Sequence, residues 1–360
     1  MLKIGIVGCG DISSIYCKNL TRVFKNVELK GVCDLIPERS ALRKEEYGIS
    51  TIYKDMHEMF ADPEISIVLN LTRPNEHFLV SMEAIKAGKH VYSEKPLGAS
   101  FEEGQKLLKA ATEKGVIFGG APDTFLGAGI QTCRKLIDDG YIGTPVGASA
   151  FMVCRGHESW HPDPAFYYQY GGGPMMDMGP YYITALVNLL GNVTEVAGMA
   201  KKSFESRTIT SAPKFGTTIE VETPTYITGM MQFQQGSIGT IFTTFDAYAA
   251  EVPRIEIYGT DGTLSVPDPN TFSGPVRLYR KESGKFLEMP LMFDYAENSR
   301  GLGVLDMALA IETVRKPRAG IELTYHVLEI MTAFLRSSEK RAFETIQSTV
   351  ERPLPMMYAL

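Results

Sequence analysis

Five short apolar runs alternate with helical segments in the first third of the chain, and this alternation restricts the fold more than any other feature. The runs occupy residues 3–7, 27–33, 67–71, 90–93 and 116–119. They are almost continuously apolar, as in a parallel sheet that is covered on both faces. Segments 12–24, 37–47, 78–87 and 101–114 between them have helical character. Strands joined by right-handed helical crossovers predict an α/β domain with a doubly wound parallel sheet.

The pattern changes after about residue 122. A predicted helix at 130–139 leads into a predicted strand at 146–154, and strand-like runs follow at 193–200, 225–232, 237–246, 254–259, 263–266 and 276–280. Alternating apolar and polar residues there are typical of an antiparallel sheet with one buried face. Predicted helices near 303–314 and 323–337 close the chain. We therefore predict two domains, residues 1–122 and 123–360.

Composition excludes several classes of protein. The chain has 36 basic and 42 acidic residues and no basic block, which argues against a nucleic-acid or anionic-membrane surface. Its five cysteines form no C-x-x-C pair and its six histidines lack metal-site spacing, so we expect neither a disulfide framework nor a metal. No signal peptide or membrane-spanning apolar run is evident. We expect a reduced, soluble, cytoplasmic protein.

A glycine-rich loop follows the first predicted strand. In Gly8-Cys9-Gly10-Asp11-Ile12-Ser13, Gly8 permits a tight turn and Gly10 lets the backbone approach a pyrophosphate. The following helix offers its N-terminal N–H groups to the phosphates. Ser13 replaces the third glycine of the usual fingerprint, but it is small enough for close packing. The loop therefore predicts a dinucleotide site.

The acid at the end of the second strand refines this prediction. Asp34 stands where a carboxylate binds the adenosine ribose hydroxyls, and its charge would repel the 2′-phosphate of NADP. Arg39 follows closely, and an arginine near this position can neutralise that phosphate. We expect NAD as the cofactor, with NADP possible.

Further polar motifs follow other strands. Glu94-Lys95-Pro96 ends the strand at 90–93, and Pro96 holds Lys95 extended at the edge where open α/β sheets bind ligands. Residues 72–77 follow a neighbouring strand. Far downstream, a glycine triplet at 171–173 precedes Asp177.

With Ala87-Gly88-Lys89-His90-Val91 and Ile142-Gly143, this ordered set of motifs resembles the Gfo/Idh/MocA family, the glucose–fructose oxidoreductase and inositol dehydrogenase group. The resemblance extends over essentially the whole chain. It implies an N-terminal Rossmann domain and a C-terminal α/β domain whose large, open sheet forms homodimers or homotetramers. It also implies hydride transfer between a nicotinamide cofactor and a carbinol or keto carbon of a sugar, glycoside or polyol.

The resemblance assigns roles to particular residues. Lys95 matches the lysine at the reacting hydroxyl, and Asp177 matches the substrate-binding aspartate. The cofactor contacts are expected to be Gly8, Gly10, Asp11, Ile12, Asp34, Arg39, Leu71, Thr72, Pro74, Asn75, His77, Glu94, Lys95 and Pro96. The substrate contacts are expected to be Lys95, Asp123, Arg155, His157, Trp160, His161, Asp177 and Tyr181.

The family's catalytic histidine, four residues after the aspartate, falls on Tyr181. A phenol titrates near pH 10, so Tyr181 needs a nearby cation to act as a base. It shares a helix face with Asp177 if a helix starts at Pro180. His161 is the second candidate base. It lies in the loop that also contains Trp160, whose ring suits the C–H face of a sugar.

Two other functions remain open at this point. A transient oxidation by the same cofactor would give a redox-neutral glycosidase or lyase. A non-enzymatic nucleotide-binding regulator could share the fold, although it would have no need for Lys95 and Asp177.

Overall fold

The computed structural model describes residues 1–357 and divides them into two compact units. The first unit comprises Met1–Leu126 and Glu297–Tyr325, and the second comprises Gly127–Ala296 and residues 326–357. The sequence boundary at residue 122 placed all of 297–325 in the second domain. Helical periodicity identifies the helices of that segment, but it carries no information about which sheet they cover.

The first unit contains a six-stranded parallel sheet, which confirms the predicted doubly wound architecture. Its strands are β1 (Leu2–Val7), β2 (Val27–Cys33), β3 (Thr51–Ile52), β4 (Ile65–Asn70), β5 (His90–Ser93) and β6 (Phe118–Gly120). They are arranged in the order β3-β2-β1-β4-β5-β6. The strand order reverses between β1 and β4, and open α/β sheets bind ligands beside the carboxyl ends of such strands.

Helices flank both sheets. They are α1 (Ser13–Lys18), α2 (Pro37–Tyr47), α3 (Met56–Ala61), α4 (His77–Lys86), α5 (Phe101–Lys114), α6 (Ala128–Asp138), α7 (Gly173–Leu190), α8 (Leu302–Glu312) and α9 (Ile321–Lys340). A π-helical turn, Asn19–Val23, continues α1. Within residues 1–357, no helix has both the length and the apolar character needed to cross a membrane.

The second unit contains a large, mostly antiparallel sheet, as expected. The remaining strands are β7 (Pro145–Val153), β8 (Val193–Lys201), β9 (Ser206–Thr208), β10 (Thr218–Glu220), β11 (Tyr226–Phe233), β12 (Ile238–Thr244), β13 (Ile255–Gly259), β14 (Gly262–Val266), β15 (Val276–Arg280), β16 (Phe286–Met289) and β17 (Glu344–Thr345). Nine of them form the order β16-β15-β14-β13-β7-β12-β11-β8-β17, in which β7 and β12 are parallel. Strands β9 and β10 form a separate two-stranded sheet.

One face of the large sheet forms the core of the second unit. Helix α7 packs on β7, β11 and β12, and α6 packs on β14 and β15. Ile227, Ile241 and Ile257 point to this face and are buried, while alternate residues such as Met230 are exposed. The predicted alternation of apolar and polar residues therefore arises because helices cover only one face of the sheet.

Helix α7 begins earlier than the sequence indicated. Pro180 does not start a helix; it lies inside α7, which begins at Gly173. The glycine triplet makes the preceding turn possible. Gly171 and Gly173 have φ values of 81° and 86°, and a Cβ on Gly172 would lie 2.6 Å from the carbonyl oxygen of Phe166. Asp177 and Tyr181 consequently occupy successive turns of one helix.

Candidate active site

The glycine-rich loop fits a bound pyrophosphate. Gly8 has a φ of 98°, and a Cβ there would lie 2.7 Å from the carbonyl oxygen of Leu71, at the end of β4. A Cβ on Gly10 would meet no atom within 4 Å. Gly8 is thus required by the fold, whereas the absence of a side chain at Gly10 leaves open space beside the loop. This is the arrangement that a Rossmann dinucleotide site needs.

Asp34 holds the same loop. Its Oδ2 accepts a hydrogen bond from the Cys9 N–H at 2.6 Å, and its Oδ1 accepts one from the Ile36 N–H at 2.8 Å. The carboxylate is only partly buried and so can also meet ribose hydroxyls. Arg39 is exposed, as are Asp11 and Ile12.

Arg43 was not predicted, yet it reaches the glycine-rich loop from α2. Its Nε donates to Ser13 Oγ at 2.8 Å, and its Nη2 donates to the Gly10 carbonyl at 3.2 Å. Ser13 Oγ in turn donates to that carbonyl at 2.6 Å. The replacement of the third glycine by serine therefore gives the loop a hydrogen-bonded link to α2.

His77 joins the loops that follow β4 and β5. It is 1% exposed, with Nε2 3.0 Å from the Thr72 carbonyl and Nδ1 2.9 Å from the Pro96 carbonyl. Burial lowers the pKa of the imidazole. His77 therefore connects two loops whose residues are expected to contact the cofactor. Pro74 and Asn75, which lie in the first of these loops, are less buried than His77.

Lys95 follows β5 beside a buried acid. Glu94 Oε2 accepts a hydrogen bond from the Lys95 backbone N–H at 3.0 Å, and Glu94 Oε1 accepts one from the Tyr16 hydroxyl at 2.7 Å. Burial raises the pKa of Tyr16, so its hydroxyl stays protonated and donates. Glu94 thus fixes the backbone that presents Lys95, and Tyr16, which was not predicted, holds Glu94.

Asp123 has a structural partner in the first unit. Its Oδ2 accepts hydrogen bonds from the backbone N–H groups of Gly301 at 2.8 Å and Gly303 at 3.0 Å, at the start of α8. The carboxyl is 1% exposed, and burial raises its pKa from 3.8 to about 6. Through these hydrogen bonds Asp123 fixes the start of α8.

In the second unit, a histidine pairs with Asp177. His157 Nε2 lies 3.1 Å from Asp177 Oδ2, and the two side chains are 12% and 14% exposed. His157 belongs to the loop after β7, and Asp177 lies in the second turn of α7. The sequence ranked Tyr181 and His161 above His157 as bases, but the structure brings His157 to the carboxylate.

Aromatic rings surround the His157 imidazole. The ring centroids of Tyr167, Phe245 and Trp160 lie 4.1, 4.7 and 5.3 Å from it. Trp160 is nevertheless 60% exposed, so most of its surface is open to a ligand. The imidazole is shielded by apolar surface and has a carboxylate on one nitrogen, which is an arrangement suited to proton transfer.

The other predicted residues of this unit have varied surroundings. His161 Nδ1 accepts a hydrogen bond from the Asp163 N–H at 3.0 Å, and the His161 ring contacts Trp160. Tyr181 is 8% exposed within α7. The Arg155 guanidinium stacks on the exposed ring of Tyr248, with Cζ 4.4 Å from the ring centroid.

Two family models match the chain. The Oxidoreductase family, NAD-binding Rossmann fold, matches residues 2–120, and the GFO/IDH/MocA C-terminal domain matches residues 130–265. Together these matches cover well over half of the chain. This protein belongs to the Gfo/Idh/MocA family of oxidoreductases.

Curated relatives and solved structures agree with this assignment. Myo-inositol 2-dehydrogenase of Thermotoga maritima is 24% identical over 263 residues, which are 73% of this chain and 74% of the relative. Inositol 2-dehydrogenase/D-chiro-inositol 3-dehydrogenase of Lactiplantibacillus plantarum is 32% identical over 40% of this chain and 42% of its own. A structure of levoglucosan dehydrogenase with NADH has a TM-score of 0.82 and 19% identity, covering 96% of this chain and 99% of that one. The structural similarity shows that the two proteins share a fold.

Substitutions in the glycine-rich loop should separate folding from cofactor binding. We expect Gly10→Ala to lower NADH affinity about tenfold or more without changing the melting temperature, because its methyl group would project into open space beside the loop. Gly8→Ala should lower the melting temperature, since it meets the Leu71 carbonyl and requires a left-handed backbone. Fluorescence titration with NADH and thermal denaturation would check both. Unchanged NADH affinity in Gly10→Ala would contradict the assigned role.

Asp123 should make stability depend on pH. Because burial raises its pKa to about 6, the folded state retains a proton that the unfolded chain releases. Its contribution to stability is complete below about pH 4 and is lost as the pH rises through about 6. Asp123→Asn keeps an oxygen acceptor for Gly301 and Gly303 but carries no charge. We expect the wild type to lose up to about 3 kcal/mol of unfolding free energy between about pH 4 and pH 7, and the variant to lose none of this amount. Urea denaturation of both proteins at the two pH values would measure the difference. A difference that stays constant with pH would contradict this.

Proposed function

We propose that this Gfo/Idh/MocA protein is an NAD-dependent dehydrogenase or reductase acting on a carbinol or keto carbon of a sugar, glycoside or polyol. The NAD-binding family model supports the cofactor. The names of relatives, which include inositol dehydrogenases and a 1,5-anhydro-D-fructose reductase, support the substrate class. The His157–Asp177 pair is the observation that carries the proposal, because it supplies the base that oxidation of a hydroxyl requires.

The cofactor preference follows from the loop after β2. Gly8 and Gly10 would hold the pyrophosphate, and Asp34 would bind the adenosine ribose. A carboxylate at this position favours NAD, since it repels a 2′-phosphate. Arg39 is exposed and has room to turn toward a phosphate, so NADP is the second cofactor to test.

In the proposed reaction the cofactor transfers the hydride and the protein side chains transfer the proton. When bound, the nicotinamide accepts or donates the hydride. Lys95 would donate a hydrogen bond to the reacting oxygen and stabilise the negative charge that develops on it. Asp177 would orient the imidazole and help to bind the substrate. His157 would take the hydroxyl proton during oxidation and return it during reduction.

The pairing with Asp177 determines which nitrogen of His157 is the base. An ionised carboxylate accepts hydrogen bonds and has no hydrogen to donate, so the neutral imidazole carries its hydrogen on Nε2 and donates a hydrogen bond to Asp177 Oδ2. Nδ1 then has the lone pair that receives the substrate proton. Asp177 also stabilises the imidazolium formed in that step, as the aspartate of a catalytic triad does.

The surroundings of the pair fit a carbohydrate. Tyr167 and Phe245 keep water from the buried side of the imidazole, while Trp160 presents an exposed indole ring next to it. The C–H face of a sugar or cyclitol packs on such a ring, and its hydroxyl groups then face polar side chains.

The activities of four variants should test the proposal. We expect NADH to accumulate when the protein oxidises a member of a panel of inositols, anhydrosugars, glycosides and sugars, with keto-sugars tested in reverse. Lys95→Ala and His157→Gln should each lower kcat by roughly a hundredfold or more.

Tyr181→Phe and His161→Ala serve as the matched controls. If either lowers kcat by that factor while His157→Gln leaves kcat unchanged, the base is assigned wrongly. Product formation without NADH accumulation would instead identify a redox-neutral glycosidase or lyase.

We further propose that two copies associate through the outer face of the large sheet. Strand register places six exposed apolar side chains on this face: Met199, Met230, Ile238, Tyr258, Tyr279 and Phe286. Each of the six lies on a different strand, so exposed apolar side chains extend across the whole face, and large exposed apolar patches mark protein–protein contact sites. A second copy would cover it with the same apolar residues.

The mass in solution should reveal this association. Light scattering after gel filtration should give a multiple of the 39.8 kDa chain. Met230→Glu should shift the protein toward the monomer, because it places a charge in the apolar face. Leu79→Glu, at an exposed position of α4 in the first unit, should not. A monomeric wild-type protein would refute the proposed assembly.

A further inference from the structure

A buried arginine lies behind the His157 loop, although it is far away in sequence. Arg207 is in β9, the first strand of the short β9–β10 hairpin, and its side chain is 4% exposed. The guanidinium lies over the Tyr168 ring, with Cζ 5.6 Å from the centroid. A guanidinium is rarely buried this deeply unless specific acceptors surround it, and here both Nη atoms have acceptors.

One nitrogen of the guanidinium donates hydrogen bonds to residues on either side of His157 in the chain. Nη1 donates to the Arg155 carbonyl at 3.2 Å and to Glu158 Oε1 at 2.7 Å. The other Glu158 oxygen accepts a hydrogen bond from the Tyr168 hydroxyl. That hydroxyl also accepts one from the His157 backbone N–H at 3.3 Å. The backbone around His157 is therefore held on both sides.

The other side of the guanidinium holds a ring that packs on the imidazole. Nη2 donates to the Phe245 carbonyl at 2.9 Å and also pairs with Asp246 Oδ1. Asp246 Oδ2 accepts a hydrogen bond from Thr225 Oγ1 at 2.7 Å. The Phe245 ring centroid lies 4.7 Å from that of His157.

We infer that Arg207 is the positioning residue for the His157–Asp177 pair, an inference that rests on the proposed role of His157 as the base. It binds the Arg155 carbonyl and the Glu158 carboxylate on either side of His157, and the carbonyl of Phe245 whose ring packs on the imidazole, so His157 meets Asp177 in one orientation. The planar fork of arginine matters here, because it reaches carbonyl and carboxylate acceptors on two segments at once. Lysine keeps the charge but cannot make this set of bonds.

The hydrogen bond between His157 and Asp177 can be detected by NMR without a substrate. In the ligand-free protein with ¹⁵N-labelled histidine, we expect a downfield Nε2–H proton from His157, assigned by its loss in His157→Gln and in Asp177→Asn. Arg207→Lys should weaken or abolish this signal. The matched control is Arg134→Lys, which alters a buried arginine of α6 that pairs with Asp138 in the same unit but does not contact the His157 loop.

Turnover should show that Arg207 acts through His157. With NAD and the best substrate of the carbohydrate panel, we expect Arg207→Lys to lower kcat roughly 10- to 100-fold with little change in the KM for NAD. In the His157→Gln background, the same substitution should have no further effect. Glu158→Gln offers a milder version of the change if Arg207→Lys does not fold, and it should lower kcat in the same direction.

The possible outcomes are distinct. A retained Nε2–H signal in Arg207→Lys, equal losses in Arg207→Lys and Arg134→Lys, or additive effects with His157→Gln would overturn the inference while leaving the proposed function intact. Full activity in His157→Gln would remove the proposed base, and the role of Arg207 with it.

Discussion

The hydrogen bond between His157 and Asp177 is the contact on which the proposed chemistry of the second unit depends. It joins a loop to a helix, and neither element could define the site alone. Asp177 is placed by α7, which the glycine triplet allows to begin at Gly173. His157 is placed by a loop whose own backbone has little regular structure. An imidazole on such a loop becomes a reliable base only if other parts of the fold restrain the loop.

Polar side chains restrain the loops of the first unit in a comparable way. Glu94 holds the Lys95 backbone, His77 joins two loops, and Asp34 holds the Cys9 N–H. Each of these residues satisfies backbone groups that would otherwise be left to solvent. A residue near a cofactor can therefore be essential for the shape of the site and still contact no ligand. This distinction applies most clearly to Asp123, which the sequence assigned to the substrate and the structure ties to α8.

Most of the first sheet could be predicted from the sequence, because its strands are buried on both faces and are therefore almost continuously apolar. The two-residue strand β3 is too short to produce such a pattern. The start of helix α7 escaped prediction because its first turns contain Gly173, Pro174 and Pro180, which are usually signs of a loop. His157 could not be ranked above His161, since both lie in one irregular loop. The contacts that separate them come from Arg207 and Phe245, which are distant in sequence and leave no local signal.

The first unit is not continuous along the chain, and this affects how it can form during synthesis. Asn19 bonds to the carbonyls of Asn298 and Arg300, and the Gly120 N–H bonds to the Ala319 carbonyl. A ribosome therefore completes all six strands of the parallel sheet long before it makes the residues that finish the same unit. During that interval the parallel sheet lacks α8, while strands β7 to β16 are translated. Release of the last third of the chain, rather than of the nucleotide-binding motif, sets the moment at which the first unit becomes complete.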